Sequence, residues 1–426
     1  MRHPRERSAH PMSRRDFLRR SAGAAITLPS LSAILAACGR PGESGGGGGN
    51  GATGATGERV LARPDNPVTL PMNGEPIPTD TPLESGTLRI YNWSEYLYKK
   101  VINAFAEQYG VEVELTTFNN MEEGIQKMVA GQVQADVFFP TTDYVSRLVA
   151  ADLIQPLNHE LIPNLEANYW RTFWDPGPWY DLGWRYTVPY TIYTTGVAYR
   201  RDRIGDDEAA AAGYEMFFDP TFKGAVSYYD SYRDAIGMML LRNGVTDPNT
   251  EDPAAIDAAK DAILQMINEN DARLTINGTY SKLPEGEFSV SQAWSGDIVG
   301  AQWYLPKGTS PDVLGYWYPE DNKGLIGNDT ITIPRIAESP RLAHEFLNFL
   351  LDEEWGFINF RDWNGYQPPM TSIDPERLIA EGVVPESLPR AVVSEEMFAE
   401  AYVQGELSAE ADKLWLDAWA EIQAGG

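Results

Sequence analysis

Cysteine is nearly absent. Cys38 stands alone in 426 residues, so no intramolecular disulfide can form and no pair of thiolates can hold a metal. Histidine is almost as scarce, with four in the chain and only His159 and His344 beyond the first ten residues. No GxSxG elbow, no GxxxxGK(S/T) phosphate loop and no HExxH pair occurs, so the common hydrolase, nucleotide and metalloprotease signatures are missing and no cofactor is expected. Positive charge is short as well: 34 Lys and Arg face 61 Asp and Glu, for a net charge of −27. Such a surface disfavours nucleic acid and anionic lipid and draws cations, with a pull that salt weakens. The main apolar run, residues 22–37, is broken by Thr27, Pro29, Ser30 and Ser32 and falls short of the ~20 residues that a membrane span needs.

What the N-terminal segment does contain is an address. Ser13-Arg14-Arg15-Asp16-Phe17-Leu18 is a twin-arginine export pattern, and the run behind it ends at Leu35-Ala36-Ala37-Cys38, a lipobox. The expectation is a chain cleaved before Cys38 and held by an acyl group on that residue at the outer side of the cell membrane. The lipid would be its only membrane contact. Seven arginines against Glu6 and Asp16 make the removed segment basic, so the remainder is more acidic still.

Residues 38–85 read as a tether. Five consecutive glycines, Gly45 to Gly49, preclude a core there, and a chain of about 50 flexible residues spans roughly 35 to 40 Å. From residue 63 to 85 six prolines turn the tether into an extended strap that can lie on the folded surface. The remaining 340 or so residues exceed what a single core usually supports, which predicts two lobes. Strands over residues 87–91, 111–118 and 135–139, with helices over 97–109 and 121–130 between them and 143–151 beyond, give a βαβαβ order and a parallel sheet. The first lobe takes residues 86–190, the second 191–326, the chain returns to the first over 327–390, and a helical segment covers 391–426. Further strands are expected at 194–199 and 290–294, and helices at 254–268, 341–352 and, capped by Ser408, 409–423. The fold class is therefore α/β with two lobes, parallel-type sheets and a ligand cleft between them.

In open α/β sheets ligands sit beyond the carboxyl ends of the strands. Four such ends here join an aromatic or small polar residue to a carboxylate: Tyr91-Asn92-Trp93-Ser94-Glu95-Tyr96, Pro140-Thr141-Thr142-Asp143-Tyr144, Trp294-Ser295-Gly296-Asp297 and Gly327-Asn328-Asp329-Thr330. Carboxylates take ammonium groups, and aromatic faces take both methylenes and charge, each cation–π contact being worth roughly 0.5 to 2 kcal/mol. The lining suits a ligand that is cationic at its ends and apolar between.

The same strand ends, with residues 135–141, 324–334 and Trp363-Asn364-Gly365-Tyr366-Gln367-Pro368, resemble the spermidine/putrescine-binding proteins of bacterial ABC importers from about residue 86 to 405. That resemblance implies a monomeric, two-lobed binding protein that closes over one polyamine and delivers it to a permease. By position it implies aromatic walls at Trp93 and Tyr96, small polar contacts at Ser94 and Thr141, a ring along the methylene chain at Trp294, an amine-holding Asp329, and Tyr366 in the cleft. The family's second-lobe acidic pair falls near Asp230 and Asp234. Three departures stand out: Asp143 precedes Tyr144 where the family shows a tyrosine, Gly327 replaces an aromatic two positions before Asp329, and Asp297 stands where a neutral residue is common. These carboxylates favour spermidine over putrescine. Two alternatives are a binder of another solute, such as ferric iron held by adjacent phenolates at Tyr228 and Tyr229, and an anchored hydrolase working with paired carboxylates.

Overall fold

The computed structural model describes residues 61–276 and 278–425; the export segment, Cys38 and the glycine run lie outside the described residues. Strand β1 (Thr87–Trp93) pairs in parallel with β2 (Glu112–Phe118) on one edge and β3 (Val137–Phe138) on the other. Helix α1 (Lys99–Tyr109) joins the first two strands, burying Val101 and Phe105 at i, i+4 and ending on Gly110 at φ 65°, where a side chain would be strained. Helix α2 (Met121–Val129) follows β2, its first turn capped by the Asn120 side chain, which accepts from Glu123 N. A 3₁₀ turn over Thr142–Tyr144 then leads into α3 (Val145–Ala150). The expected βαβαβ order thus builds a sheet in the order β2-β1-β3.

The second sheet comprises β4 (Val188–Arg200), β5 (Val226–Tyr228), β6 (Arg273–Leu274), β7 (Val290–Trp294), β8 (Leu314–Trp317), β9 (Leu325–Ile331) and β10 (Tyr402–Val403). Its order is β10-β9-β4-β7-β5-β6, with β8 also on β4. This sheet is mixed: β5 runs parallel to β6 and β7, and β10 to β9, whereas β4 is antiparallel to β7, β8 and β9. Helices α4 (Tyr232–Arg242) and α5 (Pro253–Asn270) cover one face, and α6 (Ser295–Ala301) leaves the end of β7. Helix α7 (Pro340–Leu350) returns the chain to the core that includes β1, and α8 (Ala409–Gly425) packs with α4 and α5. The Ser408 hydroxyl accepts from Ala411 N at 3.1 Å, the cap that the sequence predicts.

One strand, β9, joins the sheets, paired along β4. β4 is thirteen residues long and pairs with β9 from Val188–Ile331 to Thr195–Leu325, with an irregularity between Pro189 and Thr191 where proline offers no N–H. The chain of β9 runs on to meet the first sheet through bridges between Asp329 and Thr141, Thr332 and Phe138, and Pro334 and Ile154. The prolines of the strap lie along this body as an extended chain. Val68 exchanges backbone bonds with Trp179 and Leu182, Asn73 N donates to the Tyr186 hydroxyl at 2.7 Å, and Glu84 accepts from Arg341 N and Leu342 N at the start of α7. Among the described residues no helix is long and apolar enough to cross a membrane.

Candidate functional site

The β4–β9 crossing carries the centre of the site. Side chains at every second residue of a strand share a face, and residues opposite each other on paired strands share it too. Thr191 lies opposite Asp329, Tyr193 opposite Gly327, and Thr141 bridges to Asp329 from the end of β3. Asp329 is 6% exposed, and its two oxygens accept from Tyr96 Oη at 2.7 Å and Tyr193 Oη at 3.5 Å. The Tyr96 hydroxyl in turn shares a 2.5 Å bond with Thr191. Burial pushes the Asp329 carboxyl up to about 7; the charges of Asp143 and Asp234 add to this, and the two phenols oppose it.

Asp143 is held beside this group because the Thr141 hydroxyl donates to its Oδ1 at 2.6 Å. Asp234, in the first turn of α4, accepts from the Ser231 hydroxyl at 2.6 Å and from Trp294 Nε1 at 2.9 Å. Loss of water raises its pKa, and the Asp143 charge works in the same direction. The indole of Trp294 is thereby clamped at the end of β7, 4.2 Å centroid to centroid from the Tyr229 ring and 6.1 Å from Tyr193. Asp297, one turn into α6, is enclosed by phenols: Tyr229 donates to Oδ2 at 2.8 Å and Tyr366 to Oδ1 at 2.7 Å. Burial pushes it up to about 6 against those two bonds. Tyr366 approaches closely because Gly296 has no side chain; a β-carbon there would lie 2.3 Å from its ring.

On the other side, Trp93 is half-buried at the end of β1, its indole N–H fixed on the Phe139 carbonyl at 3.0 Å and its ring against Phe118. Ser94 is exposed and donates to Asn119 at 3.1 Å. Two sequence candidates stand apart from the cluster. Tyr144 is buried with its hydroxyl on Glu122 at 2.5 Å, and Asp230 is exposed and accepts from Gln423 of α8 at 2.9 Å. Tyr228 and Tyr229 diverge, the first giving its hydroxyl to the Ala235 carbonyl at 3.1 Å in the core and the second to Asp297. Among the described residues no group of three or more His, Cys, Asp or Glu is arranged to hold a metal.

Tyr193, Thr191 and Tyr229 belong to the cluster although no motif marks the first two. The signal present in the sequence was the alternation Thr191, Tyr193, Thr195 within a strand. Only the pairing with β9 shows which face it serves.

The pattern of the bacterial extracellular solute-binding proteins matches residues 100–383, and the chain belongs to that family, which consists of substrate-binding transport proteins rather than enzymes. The putrescine-binding periplasmic protein SpuD of Pseudomonas aeruginosa is 24% identical over 355 residues, 80% of this chain and 93% of its own. The spermidine/putrescine-binding periplasmic protein of Escherichia coli is 25% identical over 272 residues, 63% of this chain and 73% of its own. The solved structure of a putative spermidine/putrescine ABC transporter protein from Listeria monocytogenes superposes with a TM-score of 0.67 at 24% identity, covering 80% of this chain and 99% of the other, and shares the two-lobed fold.

Proposed function

We propose that the protein captures a linear polyamine outside the cytoplasm and presents it to an ABC importer permease, anchored through a lipid on Cys38, with spermidine preferred to putrescine. The observation that carries this reading is the group Asp143, Asp234 and Asp329. The charges of Asp143 and Asp234 add to the cost of ionising Asp329, the group lies among aromatic rings, and none of the three forms an ion pair with Lys or Arg among the described residues. An ionised carboxylate out of water needs a counter-charge; the Arg233 guanidinium offsets part of the charge at Asp234, and a bound cation would supply the rest. Three carboxylates beside Trp294, Tyr193 and Tyr96 match ammonium groups separated by methylenes better than they match a compact metal ion or a neutral sugar. The relatives named for putrescine and spermidine support the same class of ligand.

Calorimetric titration of the purified protein with putrescine, cadaverine, spermidine and spermine tests it, with ferric iron, glucose and glutamate as competitors. Spermidine is expected to bind most tightly, with an affinity that falls as salt rises. Tighter binding of a neutral sugar or of iron would reject the polyamine reading. Tighter binding of putrescine would reject the spermidine preference alone.

A further inference from the structure

We infer that Tyr193 is a ligand-contacting residue that supplies, from β4, the aromatic wall which β9 lacks at Gly327; the inference rests on the polyamine reading. Gly327 is not demanded by its backbone, since its φ is not positive. What its missing side chain provides is room. A β-carbon at 327 would lie 2.9 Å from Cε2, Cζ and Oη of Tyr193. The two residues are register partners on one face, so the ring of one occupies the space above the other.

In that space the Tyr193 ring meets Trp294 at 6.1 Å and Tyr366 at 5.8 Å between centroids, at interplanar angles of 65° and 84°. It is half-buried, its hydroxyl is 3.5 Å from Asp329 Oδ1, and Asp234 and Asp143 are the other charged groups near it. A half-buried ring placed among three carboxylates is where a chain of methylenes between ammonium groups would lie.

The test is a titration series on purified protein with spermidine and with ethylenediamine, whose two methylenes are too few to lie along the ring. Tyr193→Phe keeps the ring and is expected to stay within about threefold of the parent for spermidine. Tyr193→Ala is expected to lose about tenfold or more for spermidine and less for ethylenediamine. The double variant Tyr193→Ala/Gly327→Tyr, which moves the ring to β9, is expected to regain most of that loss. A spermidine affinity for Tyr193→Ala within about threefold of the parent overturns the inference, as does a Tyr193→Phe loss equal to that of Tyr193→Ala. Should Tyr193→Ala fail to fold, the double variant decides: folded with near-parental affinity it supports the relocated wall, and folded without binding it refutes it. A parent protein that binds no polyamine overturns the functional reading and this inference with it, whereas a binding parent with indifferent variants overturns only the inference.

Discussion

Asp329 shows how one residue can be a liability to the empty protein and the reason for its function. Its pKa is held at about 7 by burial, far above the ordinary value of 3.8. A carboxyl whose folded pKa is raised adds its full stability below the unfolded pKa and loses it as pH climbs through the folded one. The ligand-free protein should therefore lose stability between about pH 4 and pH 7 through this group, by about 4 kcal/mol at most since one unit is about 1.4 kcal/mol. Asp329→Asn cannot titrate. Its thermal midpoint, compared with that of the parent without ligand, should rise in relative terms from pH 5 to pH 8; a constant difference would show that burial does not perturb Asp329. A bound ammonium reverses the sign by favouring the charged form, so polyamine should stabilise the parent more at pH 8 than at pH 5. Removing one partner of a desolvated charge pair typically costs about 3 to 5 kcal/mol, so Asp329→Asn should weaken spermidine binding about a hundredfold or more. Trp93→Ala, which removes aromatic area and no charge, should cost less in the same titration.

At the scale of elements, legibility followed periodicity. Strand β7 falls on the expected residues 290–294, and α1, α2, α5, α7 and α8 lie within about two residues of their expected bounds, because caps such as Gly110 and Ser408 and the i, i+4 apolar rows are local signals. β4 was legible only in its second half, Thr194 to Tyr199, because Pro189 interrupts the first half and both faces of the strand are covered. β9 spans Leu325–Ile331 and takes in residues 327–330, which the sequence placed at a strand end, since its register is set by β4 at long range. The site divides in the same way. Trp93 and Trp294 stand at strand ends, which sequence can locate, whereas Asp329, expected at a strand end, lies inside β9 as Tyr193 lies inside β4, and both take their places through the partner strand. Asp136 is similar, a buried carboxylate that caps the approach to α7 by accepting from Glu338 N and Ser339 N, with no local sequence mark. The contact of α6 with residues 364–366 offers a test at this scale. Gly296→Ala puts a β-carbon into the Tyr366 ring, and overpacking of that kind typically costs about 1 to 3 kcal/mol. The variant should melt lower and bind spermidine more weakly, because Tyr366 can no longer hold Asp297. Unchanged melting and affinity would mean that the ring and α6 separate without cost.

For the whole molecule, one strand pair and one ion network connect the parts that a ligand would bring together. The chain of β9 runs from the second sheet to the first, and its irregular pairing with β4 at Pro189 is a natural place for a small rotation. Away from that crossing, Arg147 of α3 pairs with Glu406 at 3.2 Å and Asp412 at 3.4 Å, on the segment that runs from β10 into α8. The Ser146 hydroxyl adds a 2.5 Å bond to Glu406, and Arg63 of the strap donates to the Glu406 carbonyl at 3.0 Å. These contacts join helices of the first sheet to the cover of the second and exist only while the two sides are close. Opposing them, Asp143 from one side and Asp234 from the other bring like charges toward Asp329. The balance between latch and repulsion is what a polyamine would tip, because it binds both sides and cancels the repulsion, giving the closed arrangement a differential affinity. Small-angle scattering should then show a smaller radius with saturating spermidine than without. Arg147→Ala, which removes the latch and leaves the cleft carboxylates in place, should scatter as a larger particle than the parent when ligand-free and return to the parent's radius with spermidine. Equal radii for both proteins with and without bound spermidine would refute closure by this hinge and leave the ligand held in a site that is already formed.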